Sequence, residues 1–167
     1  MGMIGNLLRV SNAKLETYIN DSSNLEDDIY NENESLDVTI IDIDKAWDGI
    51  VFLLTGESSL NFPKHPLYKI LFSGQIIDND QDLGYGPAHY LTPEQVLEFN
   101  NKISEITTDD LRQKYDPQKM QKLEVYPEIW DRDGDEAFDY LNVYFKDVQQ
   151  LYSDAAKNKE AIITYIS

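Results

Sequence analysis

DIDKAWDGIVFLLTG, residues 42–56, decides the fold. Its apolar residues Ile43, Ala46, Trp47, Ile50, Val51 and Leu54 recur at the three-and-four spacing that lines one side of an α-helix. Asp42 is placed to cap the start, Asp44 to sit in the first turn against the helix dipole, and Gly56 to end the helix. Asp44, Lys45, Trp47 and Asp48 stand within five residues at the mouth of this apolar helix.

Working outward, Leu36, Val38 and Ile40 alternate with polar residues and predict a short strand feeding the helix. Residues 20–35 are rich in Asp, Glu, Asn and Ser and read as either a frayed helix around Leu25 to Tyr30 or a loop. Met3 to Val10 suits a buried strand, followed by a helix capped by Ser11, with Ala13, Leu15, Tyr18 and Ile19 available for packing. Downstream, Pro66 opens a short helix ending at Gly74, and Thr92-Pro93-Glu94-Gln95 supplies the capping box of a helix running to about Ile106. Further short helices start near Thr108 and Asp116-Pro117, and Leu123 to Tyr126 reads as a strand stopped by Pro127. Phe138, Leu141, Phe145, Val148, Tyr152 and Ala155 predict a long amphipathic helix over 135–157, and Ala161 to Ile166 a closing strand. Two strongly apolar terminal strands can be neighbours at the centre of one small sheet covered by helices. The expected fold class is therefore α+β, a single domain over 1–167 with a long C-terminal helix.

The chain has 167 residues, no cysteine and a formal charge of −17. That charge repels phosphate, so nucleic acid and anionic bilayers are not expected partners, while a basic protein partner would be attracted and steered. Disulfides, thiolate zinc sites and cysteine nucleophiles are excluded. No stretch approaches the roughly 18 apolar residues of a membrane span, which leads to the expectation of a soluble, cytoplasmic protein.

Several strings taken in order, MGMIGN, DIDKAWDGIVFLLTG, GYGPAHYLTPEQV, VYPEIW and the C-terminal AIITYIS, resemble the YfbM-like family of bacterial domains of unknown function. The resemblance spans nearly the whole chain. It implies one α+β domain of bacterial origin, and it implies no activity.

Two stretches hold the candidate ligand-binding residues. On a continuous helix Asp44 and Asp48 lie one turn apart, able to share a proton or hold a cation, with Lys45 beside them and Trp47 toward the apolar stripe. Helix-terminal charges and core packing account for the same residues without a ligand. In GYGPAHYL, residues 84–91, Gly84 and Gly86 let backbone amides approach a ligand, Tyr85 and Tyr90 offer stacking faces, and His89 is a potential acid or base. A rigid turn leading to the capped helix at Thr92 explains that string equally. Asp78, Asp80 and Asp82 start like a calcium loop, but Leu83 replaces the required glycine and His89 the terminal glutamate. No metal and no cofactor are expected, and no GxSxG elbow or GK[ST] loop occurs.

The leading functional expectation is a binding or interaction domain, of immunity or regulatory type, that recognises a basic protein partner. The alternative is a small-ligand binder or enzyme whose pocket joins the Asp44–Asp48 helix start to the Gly84–Tyr90 loop.

Overall fold

In the computed structural model the described residues are 2–31 and 37–167. Strand β1 (Gly5–Val10) leads to helices α1 (Asn12–Asn20) and α2 (Ser23–Tyr30), then to β2 (Val38–Asp42) and α3 (Trp47–Thr55). A long excursion containing short 3₁₀ turns ends in β3 (His89–Leu91), which is followed by α4 (Pro93–Ile103), α5 (Thr108–Lys114), α6 (Pro117–Lys122), α7 (Trp130–Lys157) and β4 (Ala161–Ile166). The strands form one antiparallel sheet in the order β2-β1-β4-β3, so the terminal strands are its centre, as their apolar character demands. The fold is α+β.

Alternation along β1 and β4 divides the core into two layers. Leu7 and Ile162 face α3, α4 and α7, whereas Leu8, Val10, Ala161, Ile163 and Tyr165 face α1, α2 and the loop that carries Ile77, Leu83 and Ala88. Ser11 caps α1 as expected, but only Leu15 and Tyr18 of its apolar residues are buried, and Ile19 is exposed. The segment left open between helix and loop is helical at Ser23–Tyr30; Leu36 lies outside the described residues.

The organising helix differs from its sequence reading at the start. Asp42 belongs to β2, a single 3₁₀ turn spans Asp44–Ala46, and α3 begins only at Trp47. Asp42 does act as a cap, since its carboxylate accepts the Asp44 N–H at 2.7 Å, but it caps the 3₁₀ turn. Asp44 has a φ of +49°, so it is not the first turn of a helix. Gly56 ends α3 at a φ of +80°, as its position implies.

Leu123 to Tyr126 is a turn and no strand: Val125 N–H closes back on Met120 O, and Tyr126 precedes a cis proline. The Thr92–Gln95 capping box is present, although α4 stops at Ile103. In α7 the helix breaks at Gly134, whose φ and ψ are 49° and −118°. Only the turn before the break extends past the helix expected from Asp135. Among the described residues no helix is long and apolar enough to cross a membrane.

α3 is buried on all sides, and at Gly49 its backbone packs directly against side chains of α7. A Cβ there would lie 2.5 Å from Leu141 Cδ2 and 2.8 Å from Trp130 Cη2, both side chains fully enclosed. Gly49→Ala is therefore expected to lower stability by about 1–2 kcal/mol, the overpacking strain exceeding the gain in helix propensity. Equilibrium denaturation checks this, and a stabilised variant would contradict the packing.

Candidate functional site

Asp48 is 1% exposed and forms no ion pair among the described residues. Its carboxylate instead accepts from Ser59 N–H (2.8 Å), Tyr126 N–H (2.8 Å) and the Ser58 hydroxyl (3.3 Å). A buried carboxylate persists only with such partners, so its presence ties three separate segments together. The 58–62 turn carries Leu60 and Phe62 into solvent. The Tyr126 ring stacks on Trp47 at 5.5 Å, and its hydroxyl accepts the Met3 N–H.

Trp47 and the 58–62 turn line one end of an aromatic groove of about 400 Å³ where β1 begins and β4 ends. Trp47 and Phe72 meet edge to face at 5.9 Å, Tyr68 stacks on Phe72 at 5.2 Å, and His89 stands edge-on to Phe72 at 5.7 Å. Leu60, Phe62 and Tyr85 complete the lining with Met3, Ser59, Gly74 and Ile166. No carboxylate, lysine or arginine is among these lining residues. Leu60, Phe62 and Tyr85 are 64%, 77% and 59% exposed, an unusual concentration of large apolar surface in water. The segment bearing Tyr68 and Phe72 is anchored from beneath, because the Tyr152 hydroxyl donates to Ile70 O and the Thr164 hydroxyl to Leu71 O, each at 2.6 Å.

The structure brings together Trp47, Tyr85 and His89 from the two candidate stretches and separates the others. Asp44 and Asp48 do not share a helix face: Asp48 is enclosed beneath the groove, and Asp44 accepts the Tyr140 hydroxyl at 2.8 Å. Asp44 and Lys45 line a different, polar cleft of about 570 Å³ with Arg132, Asp133, Glu136 and Tyr140. The cause is the 3₁₀ turn, which rotates Asp44 away from the helix that carries Asp48. Tyr90 points to the opposite face of the sheet from His89, as adjacent strand residues must, and packs against the layer formed by α1 and α2.

Gly86 does not offer an amide to a ligand. Gly84 N–H and Gly86 N–H both donate to Asp82, and Tyr85 N–H donates to Ile166 O. Those amides hold the Asp82 carboxyl below its usual range and rigidify the loop. Asp78 is likewise engaged, accepting from Ser22 Oγ and Asp80 N–H. Among the described residues no group of three His, Cys, Asp or Glu side chains is arranged to hold a metal.

Leu60, Phe62, Tyr68 and Phe72 were not candidates. Leu60 and Phe62 carried a usable signal in ESSLNFPKHP, two large apolar residues inside a polar turn where neither helix nor strand periodicity requires them.

Burial drives the His89 pKa below its ordinary value of 6.5. The neutral ring accepts the Gly74 N–H at Nδ1 (3.0 Å), an acceptor that protonation removes. Because the folded-state pKa is depressed, this contribution to stability is complete above the unfolded value and is lost as pH falls through the folded one. An NMR titration should place the His89 midpoint below 6.5, with the Gly74 amide shifting in step. A midpoint at or above that value would contradict the burial. Separately, Asp48→Ala should cost about 3 kcal/mol or more, since three donors lose their acceptor in a dry site, and Asp48→Asn less. A loss under about 1 kcal/mol in denaturant unfolding would remove Asp48 from this role.

Comparison with known proteins agrees with the architecture. A crystal structure of a protein of unknown function, YfbM from Escherichia coli, superposes with a TM-score of 0.78 at 18% identity, covering 98% of this chain and 99% of the other. In sequence, protein YfbM of Escherichia coli strain K12 is 26% identical over 132 residues, 77% of this chain and 75% of that protein. Residues 1–165 match the domain of unknown function DUF1877, and the chain belongs to that family.

Proposed function

We propose that this protein is a binding domain that engages a basic protein partner by seating one uncharged, apolar side chain of that partner in the aromatic groove. The observation that carries the reading is the convergence of exposed Leu60, Phe62 and Tyr85 on a hollow with no carboxylate, lysine or arginine among its described lining residues, in a chain of net charge −17. Keeping such surface in water is unfavourable, and covering it supplies the apolar contact that dominates recognition sites. The net charge adds long-range steering of a basic partner and disfavours acidic ones. Its dimensions also fall within the range of small-molecule sites.

The enzyme alternative has less support. Both oxygens of Asp48 are occupied by the fold and Asp44 opens onto another cleft, so among the described lining residues no side-chain carboxylate stands beside His89 as an acid or base partner.

The test is a titration of isotope-labelled protein with a lysine-rich peptide of about ten residues carrying one central Phe, and with its Phe→Ala counterpart. Amide shifts are expected at the Trp47 indole, residues 59–62, 72–74 and 85–89, and only with the Phe peptide. Phe62→Ser should weaken binding about tenfold without changing thermal stability, because Phe62 is 77% exposed. Equal, diffuse shifts with both peptides would mean charge attraction alone and would overturn the reading.

A further inference from the structure

We propose that His89 is the residue that reads the partner's main chain, its Nε2–H donating to the carbonyl of the anchor residue, so that the groove selects an extended peptide segment. This rests on the reading of the groove as a partner-binding site.

The tautomer follows from the hydrogen-bond network. Nδ1 accepts the Gly74 N–H, so in the neutral ring the proton resides on Nε2. Two contacts fix the ring: the Gly74 amide on one edge and the perpendicular Phe72 ring, at an interplanar angle of 87°. Nε2–H has no hydrogen-bond partner among the described residues, and it is not among their sealed, unpaired polar atoms, which are Gln81 Oε1 and Asn100 Oδ1. It is therefore a pre-oriented donor left for a group from outside the fold.

Several N–H donors around the groove are already committed, whereas the hydroxyls of Ser59, Tyr68 and Tyr85 can accept as well as donate. The Trp47 indole N–H donates to Met3 O at 2.9 Å, the amides of Gly84 and Gly86 donate to Asp82, and that of Tyr85 donates to Ile166 O. The Tyr68 phenol stays neutral, its pKa raised first by burial and then by the Asp48 charge. A donor-only imidazole N–H requires an acceptor, and an ammonium or guanidinium offers none. Lysine and arginine side chains of a basic partner are thus unsuited to the His89 position and belong outside the groove. An uncharged acceptor that every peptide carries, the backbone carbonyl, satisfies the donor while the adjacent side chain fills the aromatic hollow.

The experiment is a double-mutant cycle. Wild type and His89→Phe are titrated with the Phe-anchored peptide and with a form in which the amide following the anchor Phe is replaced by an ester, whose carbonyl is a weaker acceptor. The variant retains the ring against Phe72 without its nitrogens. For wild type the ester is expected to bind about fivefold more weakly, and for His89→Phe the two peptides should bind alike. His89→Gln, which keeps an N–H donor, should recover part of the difference. Thermal melts confirm that each variant is folded. The same ester penalty in wild type and His89→Phe would overturn the role of His89 while leaving the groove reading intact. Absence of shifts at the Trp47 indole with the parent peptide would overturn both.

Discussion

The carboxylate of Asp48 is the interaction on which the rest of the site depends. It lies at the start of the central helix, out of water and with no ion pair among the described residues, and its oxygens are satisfied by the 58–62 turn and by the residue preceding the cis proline. Because a buried charge tolerates few arrangements of donors, the two loops are held in register with the helix. One loop brings Phe62 to the rim at a φ of +47°, an uncommon conformation for a large side chain. The other lays Tyr126 on Trp47. A charge that looked like chemistry in the sequence serves to shape an uncharged surface.

The large-scale fold was legible because it follows from periodicity. Leu7, Leu8, Ile162 and Ile163 lie in strands buried on both faces, which is why the terminal strands read as near-continuous apolar runs and belong at the sheet centre. Thr92 and Ser11 announced their helices through capping chemistry that is local. What periodicity does not encode is where a helix is displaced by a turn of another kind. Ile43 and Ala46 keep the apolar spacing through the 3₁₀ turn, so the sequence from Asp42 to Gly56 reads as one helix although Asp44 has a left-handed backbone. That difference is what parts Asp44 from Asp48.

The groove was half legible. Trp47, Tyr85 and His89 stood out for their chemistry, but they meet Tyr68 and Phe72 only through long-range tethers, such as Tyr152 to Ile70 O and Thr164 to Leu71 O. No local pattern announces contacts between residues 82 and 93 positions apart. Gly86 and Tyr90 stand apart from the groove for opposite reasons. Gly86 serves its own loop through Asp82, and Tyr90 is directed to the other face by strand alternation. The larger cleft beside Arg132 and Lys45 is polar and mixed in charge, and it lacks the aromatic walls that Trp47, Phe72 and Tyr85 give the groove.

The end of the sheet carries a preformed hollow for a flat or branched apolar group. A crystal structure after soaking with indole tests it most directly. The expected result is a ring seated among Trp47, Phe62, Phe72 and Tyr85, with the Ser58–Phe62 turn and its Asp48 hydrogen bonds unmoved. A ring bound only in the polar cleft at Lys45 and Arg132, or a groove closed by the side chains of Phe62 and Tyr85, would contradict it.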